Sequence, residues 1–451
     1  MLIEILGVAR AVTCQNVTIS NATEAASIRR GCKIITGNLV FEKVQEDINL
    51  DGVEEIIGHV YHEDSDCDPY STKAQPCVPP PSNFSISSST LVKVGGYFKF
   101  REFAGLTELR LPNLTTVYES MDLQRQHYLQ RLDMTKLSAV GDFSLDAMSL
   151  KSLKHESLKS FTQESGQVSL KTSIESVDSF FTYPIPANET GTDREGHFSV
   201  QLTVPNVKHF TLGWPKVNNV NLQTESNLNI TFGTANTTSV KIKEVLLSSD
   251  IAFRRHEAVK NLTIKRLSLK GSTTKHFNVS VDHLSSLLVM ENYDLASIEL
   301  PPKAVDWKNF DLYVVGCSHL NLTSEYRVTD DGHKERIWYW PQYNMSSVSI
   351  SGTPISNDFF ETFLQAPKGA DSSDVPKVRE YFALSPLSTR YGNKAELNCT
   401  PFEELRKRGV LPEDYFCEDV TLQEESVASL TAVHESVLLA LGFLATALFC
   451  I

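Results

Sequence analysis

Residues 94–117 read VGGYFKFREFAGLTELRLPNLTTV, and residues 117–140 read VYESMDLQRQHYLQRLDMTKLSAV. The two stretches carry apolar residues at the same places, 23 positions apart. Val94, Phe98, Phe100, Leu106, Leu109, Leu111, Leu114 and Val117 are answered by Val117, Met121, Leu123, Leu129, Leu132, Met134, Leu137 and Val140. A third copy runs Phe143, Leu145, Leu150, Leu153, Leu158 and Phe161, with His155 where an apolar residue is due. Phe98-x-Phe100 and Leu109-x-Leu111 alternate as strands do, and LPNL (111–114) supplies a turn between them. A period of roughly 20–25 residues built from short strands predicts a solenoid, in which each coil buries its apolar side against its neighbours.

Leu106-x-x-Leu109-x-Leu111 is near the leucine-rich pattern, with one departure. Where that pattern places an Asn or Cys inside the turn, this chain has Leu114, Leu137 and Leu158. The expected fold is therefore mainly β: a right-handed parallel β-helix or leucine-rich-repeat-like solenoid, flattened, in two lobes with short capping helices. An earlier rung is visible at Ile34–Phe41 and Ile48–Ile56. Ahead of it, SNATEAASIRRG (20–31) predicts a helix with Ser20 or Asn21 as N-cap and Gly31 as stop, closing the first coil. The first lobe spans 14–181, TYPIPANETGTDREGH (182–197) is a linker, and the second lobe spans 198–367. Its strands include 198–204, 228–232, 262–269, 286–290, 309–315 and 347–351, and NDFFETFLQ (357–365) reads as a helix closing the far end. Residues 368–426 read as loop-rich and disulfide-containing, with 368–396 as loop.

Composition narrows the class. The chain has 451 residues, 41% hydrophobic, which is ample for a core and excludes wholesale disorder. Lys and Arg (42) are outnumbered by Asp and Glu (55), which argues against a nucleic-acid partner. Twelve Asn-x-Ser/Thr sequons stand at Asn16, Asn21, Asn83, Asn113, Asn188, Asn229, Asn236, Asn261, Asn278, Asn321, Asn344 and Asn398. The chain has 23 Asn and 80 Ser plus Thr in 451 residues, so chance would place about four, and secretory-pathway glycosylation is the expectation. Six cysteines fall into local couples: Cys14 with Cys32, Cys67 with Cys77, and Cys399 with Cys417, none with zinc-site spacing. They read as disulfides of an oxidising compartment, although six cysteines allow 15 connectivities. Cys317 is left over and reads as a buried thiol.

The ends carry targeting signals. MLIEILGVARAVTC is apolar but interrupted by Glu4, so residues 1–13 read as a weak or truncated signal segment. VLLALGFLATALFCI (437–451) is uncharged and short for a span. Behind small residues and a polar spacer it forms a GPI-attachment pattern, with Ser426 as the attachment residue, Ser429 second, and 427–451 removed together with Cys450.

These segments together resemble fungal GPI-anchored cell-wall proteins built from receptor-type L domains. The carrying stretches are Cys14 with GCKIITGNLVF (31–41), LDGVEEIIGHV (50–60), LPNLTTV, TKLSAVGDFSL, SVSISGTPIS (347–356) and NCTPFEELRKRGVLPEDYFC (398–417). The resemblance implies a paired-lobe solenoid on the outer face of the plasma membrane or in the wall, needed for wall integrity, with no enzymatic activity and no cofactor. Its partners would be wall polysaccharide or wall proteins. Two departures are a missing Ser/Thr-rich stalk and an inserted loop at 61–83, which Cys67 and Cys77 would close.

A search for chemistry yields two candidates. Asp330-Asp331-Gly332-His333 brings to mind the carboxylates of polysaccharide hydrolases, against the plainer reading of a solvated turn. His62 to Asp68 clusters oxygens that suit Ca2+, against the plainer reading of an acidic loop. For binding, Trp338, Trp340 and Tyr343 form the densest aromatic run, either a stacking platform for sugar rings or a core strand ended by Pro341. The alternatives to a non-enzymatic wall protein are thus a wall-polysaccharide hydrolase or transglycosylase, and a ligand-binding receptor ectodomain.

Overall fold

The computed structural model describes residues 13–63, 82–186, 198–224, 227–248, 250–329, 331–365, 378–387 and 396–420. These form a parallel β-solenoid, mainly strand with few short helices. One face is a long sheet of 21 strands, backed by parallel sheets of five, three and two strands that succeed one another along the chain. Among the described strands, the antiparallel pair is a hairpin, Tyr326–Val328 with Lys334–Arg336.

The 23-residue spacing is the cross-strand register. Val117 pairs with Val94 on one side and Val140 on the other. Phe98, Met121 and Phe143 stand in line, as do Phe100, Leu123 and Leu145. Leu109, Leu132 and Leu153 form the matching line on the second sheet. Along each strand the period of two sends these residues inward, and all but the partly buried Leu153 are buried. Each rung thus completes the burial of the one before it. The same lines run on through Val168, Val200, Val220, Val245, Leu267 and Leu287, so the long sheet does not stop between the two halves. Gln167–Thr172 pairs directly with Ser199–Thr203 across residues 182–197.

Leu114, Leu137 and Leu158 are all buried, and the turns they close are held by main-chain bonds. Leu114 N–H donates to Leu111 O at 3.1 Å, and Leu137 N–H donates to Met134 O at 3.0 Å. One rung on, His155 occupies the position of Met134. Its Nε2 lies 2.8 Å from Leu137 O and its Nδ1 lies 3.0 Å from Ser179 Oγ, while its ring stacks on Phe180. A carbonyl only accepts, so Nε2 carries a proton.

Both ends are tied. The helix Ala22–Gly31 is capped by Asn21, whose Oδ1 accepts from Glu24 N–H at 2.9 Å, while the Glu24 carboxylate accepts from Ser20 N–H at 2.7 Å. Cys32 follows it and forms a disulfide with Cys14. At the other end Cys399 is bonded to Cys417, which joins the helix Thr400–Lys407 to the last strand. Two of the three expected couples are thus disulfides. Cys67 and Cys77, the third, both lie outside the described residues. Cys317 is buried, and its Sγ lies 3.5 Å from Val315 O.

Two expectations change here. Residues 357–365 form a 3-10 turn, Asn357–Phe360, and a short helix, Glu361–Leu364, which bury Phe359, Phe360 and Phe363 in the core and do not end the solenoid. The sheet continues through Val378–Ser385 and Tyr415–Cys417, so 368–396 is not all loop. Arg379 and Glu380 near its start mask that strand, but Phe382 and Leu384 then alternate inward like every earlier rung.

Burial holds the His155 ring in its neutral form and pushes its pKa down to about 4 from 6.5. The unfolded ring takes up a proton near pH 6.5, so the unfolded state binds more protons between pH 6.5 and 4, and stability falls as the solution is acidified through that window. The full effect is roughly 3 kcal/mol. His155→Leu should flatten this acid slope in urea midpoints measured between pH 4.5 and 7.5. An unchanged slope would refute the assignment.

Candidate functional site

With the inward positions filled, the exposed side of the long sheet presents its alternate residues in aligned rows. Three neighbouring strands in the middle, Gln167–Thr172, Ser199–Thr203 and Lys216–Gln223, form a grid. Gln167, Ser199 and Asn219 stand side by side in one row, Ser169, Gln201 and Asn221 in the next, and Lys171, Thr203 and Gln223 in the third. Eight of these nine residues are uncharged amides or hydroxyls. Lys171 is paired with Asp146, Nζ to Oδ2 at 3.1 Å. Among the described residues, the side chains of Ser169, Ser199, Gln201, Thr203, Asn219, Asn221 and Gln223 make no hydrogen bond to the rest of the protein. Asn219 Oδ1 is itself shielded within its row, an acceptor without a partner.

Two of the cations elsewhere on this face are matched by a carboxylate across strands. Arg101 meets Asp122 at 3.0 Å, and Arg266 meets Glu244 at 3.4 Å. Aromatic residues flank the grid on both sides. Toward the N-terminus, the His59 ring stacks on Tyr97 at 4.0 Å, with Tyr61 6.2 Å from Tyr97. Toward the C-terminus, Tyr313 stands in the row of Ser169 and Gln201, and Tyr381 in the row of Gln167 and Ser199. Partial burial raises the pKa of the Tyr97, Tyr313 and Tyr381 phenols, and likewise that of the Asp142 and Asp311 carboxyls.

A polar ladder shapes the N-terminal margin. Asn16 Oδ1 accepts from Asn38 N–H at 2.9 Å, Asn38 Oδ1 accepts from His59 N–H at 3.0 Å, and His59 Nδ1 accepts from Tyr97 N–H at 3.1 Å. Gln167 N–H repeats the pattern on Asp142 Oδ1 at 2.8 Å. In these four steps one rung presents a side-chain acceptor to the main chain of the next. Glycine makes the close approach possible, since a Cβ at Gly96 would stand 2.1 Å from His59 Nδ1. This ladder takes the part of the missing turn asparagines, at a different corner of the coil.

The residues singled out from sequence lie elsewhere. Trp338 and Trp340 are core, 1% and 4% exposed, against Phe359, and Trp340 Nε1–H donates to Phe359 O at 2.9 Å. Their faces are covered, so they offer no platform. Tyr343 alone is exposed, beneath Lys308. The tryptophan segment is held in place by Glu325, a buried carboxylate that accepts from Arg336 Nη2 and from Thr362 N–H, both at 2.8 Å, and whose pKa burial raises. Asp331 and His333 sit at the exposed tip of the hairpin, and Asp330 lies outside the described residues. His62 stacks on Phe103. The acidic run beyond Glu63, with Cys67 and Cys77, lies outside the described residues, as do Asn188, Ser426 and the apolar tail. Among the described residues no group of three His, Cys, Asp or Glu is placed to hold a metal ion, and no helix is long and apolar enough to cross a membrane.

The other eleven sequon asparagines are all at least partly exposed. Asn229 and Asn278 lie on the backing sheets, Asn261 opens its strand, and Asn21 caps the first helix. None lies in the grid, although Asn219 and Asn221 do. Comparison with protein-family models, with curated proteins and with solved structures finds no match.

The ladder gives a direct test. Asn38→Asp keeps an oxygen for the His59 N–H, whereas Asn38→Leu leaves that donor unpaired at a cost of about 1–3 kcal/mol. The urea midpoint should fall in the leucine variant and hold in the aspartate variant. Equal losses in both would show that the bond does not carry the corner.

Proposed function

We propose that the chain is a non-enzymatic surface glycoprotein that supports cell-wall organisation from the outer face of the plasma membrane, anchored through a GPI lipid at Ser426. The observation that carries this reading is the reach of the sequons. Every described sequon asparagine is open to solvent to some degree, on loops, backing sheets, ends and, for Asn261, the start of a strand of the long sheet, where a glycan fits without disturbing the core. The disulfides at both ends suit the same oxidising compartment. A solenoid is a favourable scaffold for such work, because its rungs multiply one flat face over a long distance. The wall assignment draws on the motifs from 31–41 to 398–417 that resemble fungal cell-wall proteins.

Treating intact expressing cells with phosphatidylinositol-specific phospholipase should release the protein, and removing N-glycans should increase its gel mobility. Ser426→Pro together with Ser429→Pro should abolish the release. A chain that stays cytosolic and shows no mobility shift would overturn the compartment, the anchor and the function together.

A further inference from the structure

We propose that the neutral grid of the long sheet binds an extended, uncharged polysaccharide, which lies across the strands over Ser169, Gln201 and Asn221. This inference rests on the reading of the chain as a surface glycoprotein and names the class of molecule its face meets.

The chemistry of the grid selects the partner. Amides and hydroxyls both donate and accept, as sugar hydroxyls do, so either can satisfy the other in any local orientation. Seven of the uncharged grid side chains, Lys171 apart, make no hydrogen bond among the described residues, and their solvent-facing groups are free to make them outward. A protein partner would call for an apolar, aromatic or Arg-rich centre, and Ser is depleted at such interfaces. Nucleic acid or an anionic polymer would call for unpaired cations in the site, yet the one cation of the grid, Lys171, is matched by Asp146. What remains is a hydroxyl-rich polymer without charge.

Three further observations agree. The aromatic groups flank the grid along the same rows, Tyr61 and Tyr97 on one side and Tyr313 and Tyr381 on the other, where sugar rings would stack. From Phe98–Arg101 to Phe310–Val315 there are nine strand steps of about 4.8 Å, or roughly 43 Å, a span suited to a polymer rather than to a single sugar. Finally, no sequon asparagine lies in the grid, and among the described residues the one sequon asparagine in a strand of the long sheet, Asn261, stands at that strand's start. Asn219-Val220-Asn221 and Asn221-Leu222-Gln223 each miss a sequon only at the third residue.

That asymmetry supplies the experiment. Gln201→Asn completes a sequon with Leu202 and Thr203 and plants a glycan in the middle of the grid. Asn219→Asp with Asn221→Asp adds charge without bulk. Asn229→Gln removes a native sequon on a backing sheet and serves as the control. The purified, glycosylated proteins are tested for retention on insoluble linear β-1,3-glucan, chitin and cellulose, with pectate as the charged comparison. The unsubstituted protein should be retained on at least one neutral polymer, weakly on pectate, and with little dependence on salt. Gln201→Asn, with its new glycan verified by mobility, should lose at least tenfold in retention. The double aspartate variant should lose several-fold, and Asn229→Gln should match the unsubstituted protein, all with unchanged melting temperatures. No retention on any neutral polymer, preferential salt-sensitive retention on pectate, or full retention by an occupied Gln201→Asn would each overturn the inference. A protein that carries no glycan at all would instead overturn the surface-glycoprotein reading, and the double aspartate variant would still decide the polysaccharide site.

Discussion

The structure depends on the inward lines of the long sheet. Leu39, Val60, Phe98, Met121 and Phe143 stand one behind another, and each is covered only when the next rung arrives. A single rung has too little apolar surface to offset the entropy of ordering its chain, so no rung is stable alone. Stacking is therefore cooperative along the whole ladder, and the parallel register follows from it. A shift by one residue would turn every inward side chain out to water.

Such a ladder has two weaknesses, its ends and its corners. The ends expose unpaired main chain and a bare apolar layer. At the first, the capped helix Ala22–Gly31 and the Cys14–Cys32 bond meet the need, and at the last, the helix Thr400–Lys407 and the Cys399–Cys417 bond do so. The corners leave main-chain N–H groups without a strand partner, and Asn16, Asn38, His59 and Asp142 supply acceptors for them. With core, ends and corners satisfied in this way, the outward rows carry little structural duty. That is why uncharged Ser, Asn and Gln can gather there without partners inside the protein.

Much of the fold was legible. The 23-residue recurrence of Val94, Val117 and Val140 translates directly into cross-strand pairs, because one repeat is one turn of the coil. The N-cap at Asn21 and both terminal cysteine couples were readable from local spacing. The strand Val378–Ser385 was hidden by the charged residues near its start, and Trp338 and Trp340 were ambiguous, since alternation alone does not say which side of a strand meets the core.

The face itself shows where reading along the chain ends. Gln167-x-Ser169, Ser199-x-Gln201 and Asn219-x-Asn221 are each ordinary polar alternations, separated by turns of unequal length and by residues 182–197. By itself the sequence determined the repeat, the inward apolar positions, the terminal cysteine couples and the positions of the sequons, because each rests on periodicity or on neighbours close in the chain. Only the tertiary structure decided that those three alternations form one neutral surface between two aromatic groups. That depends on the register between rungs, and a strand's outward residues do not specify the register; the buried side chains on the opposite face do.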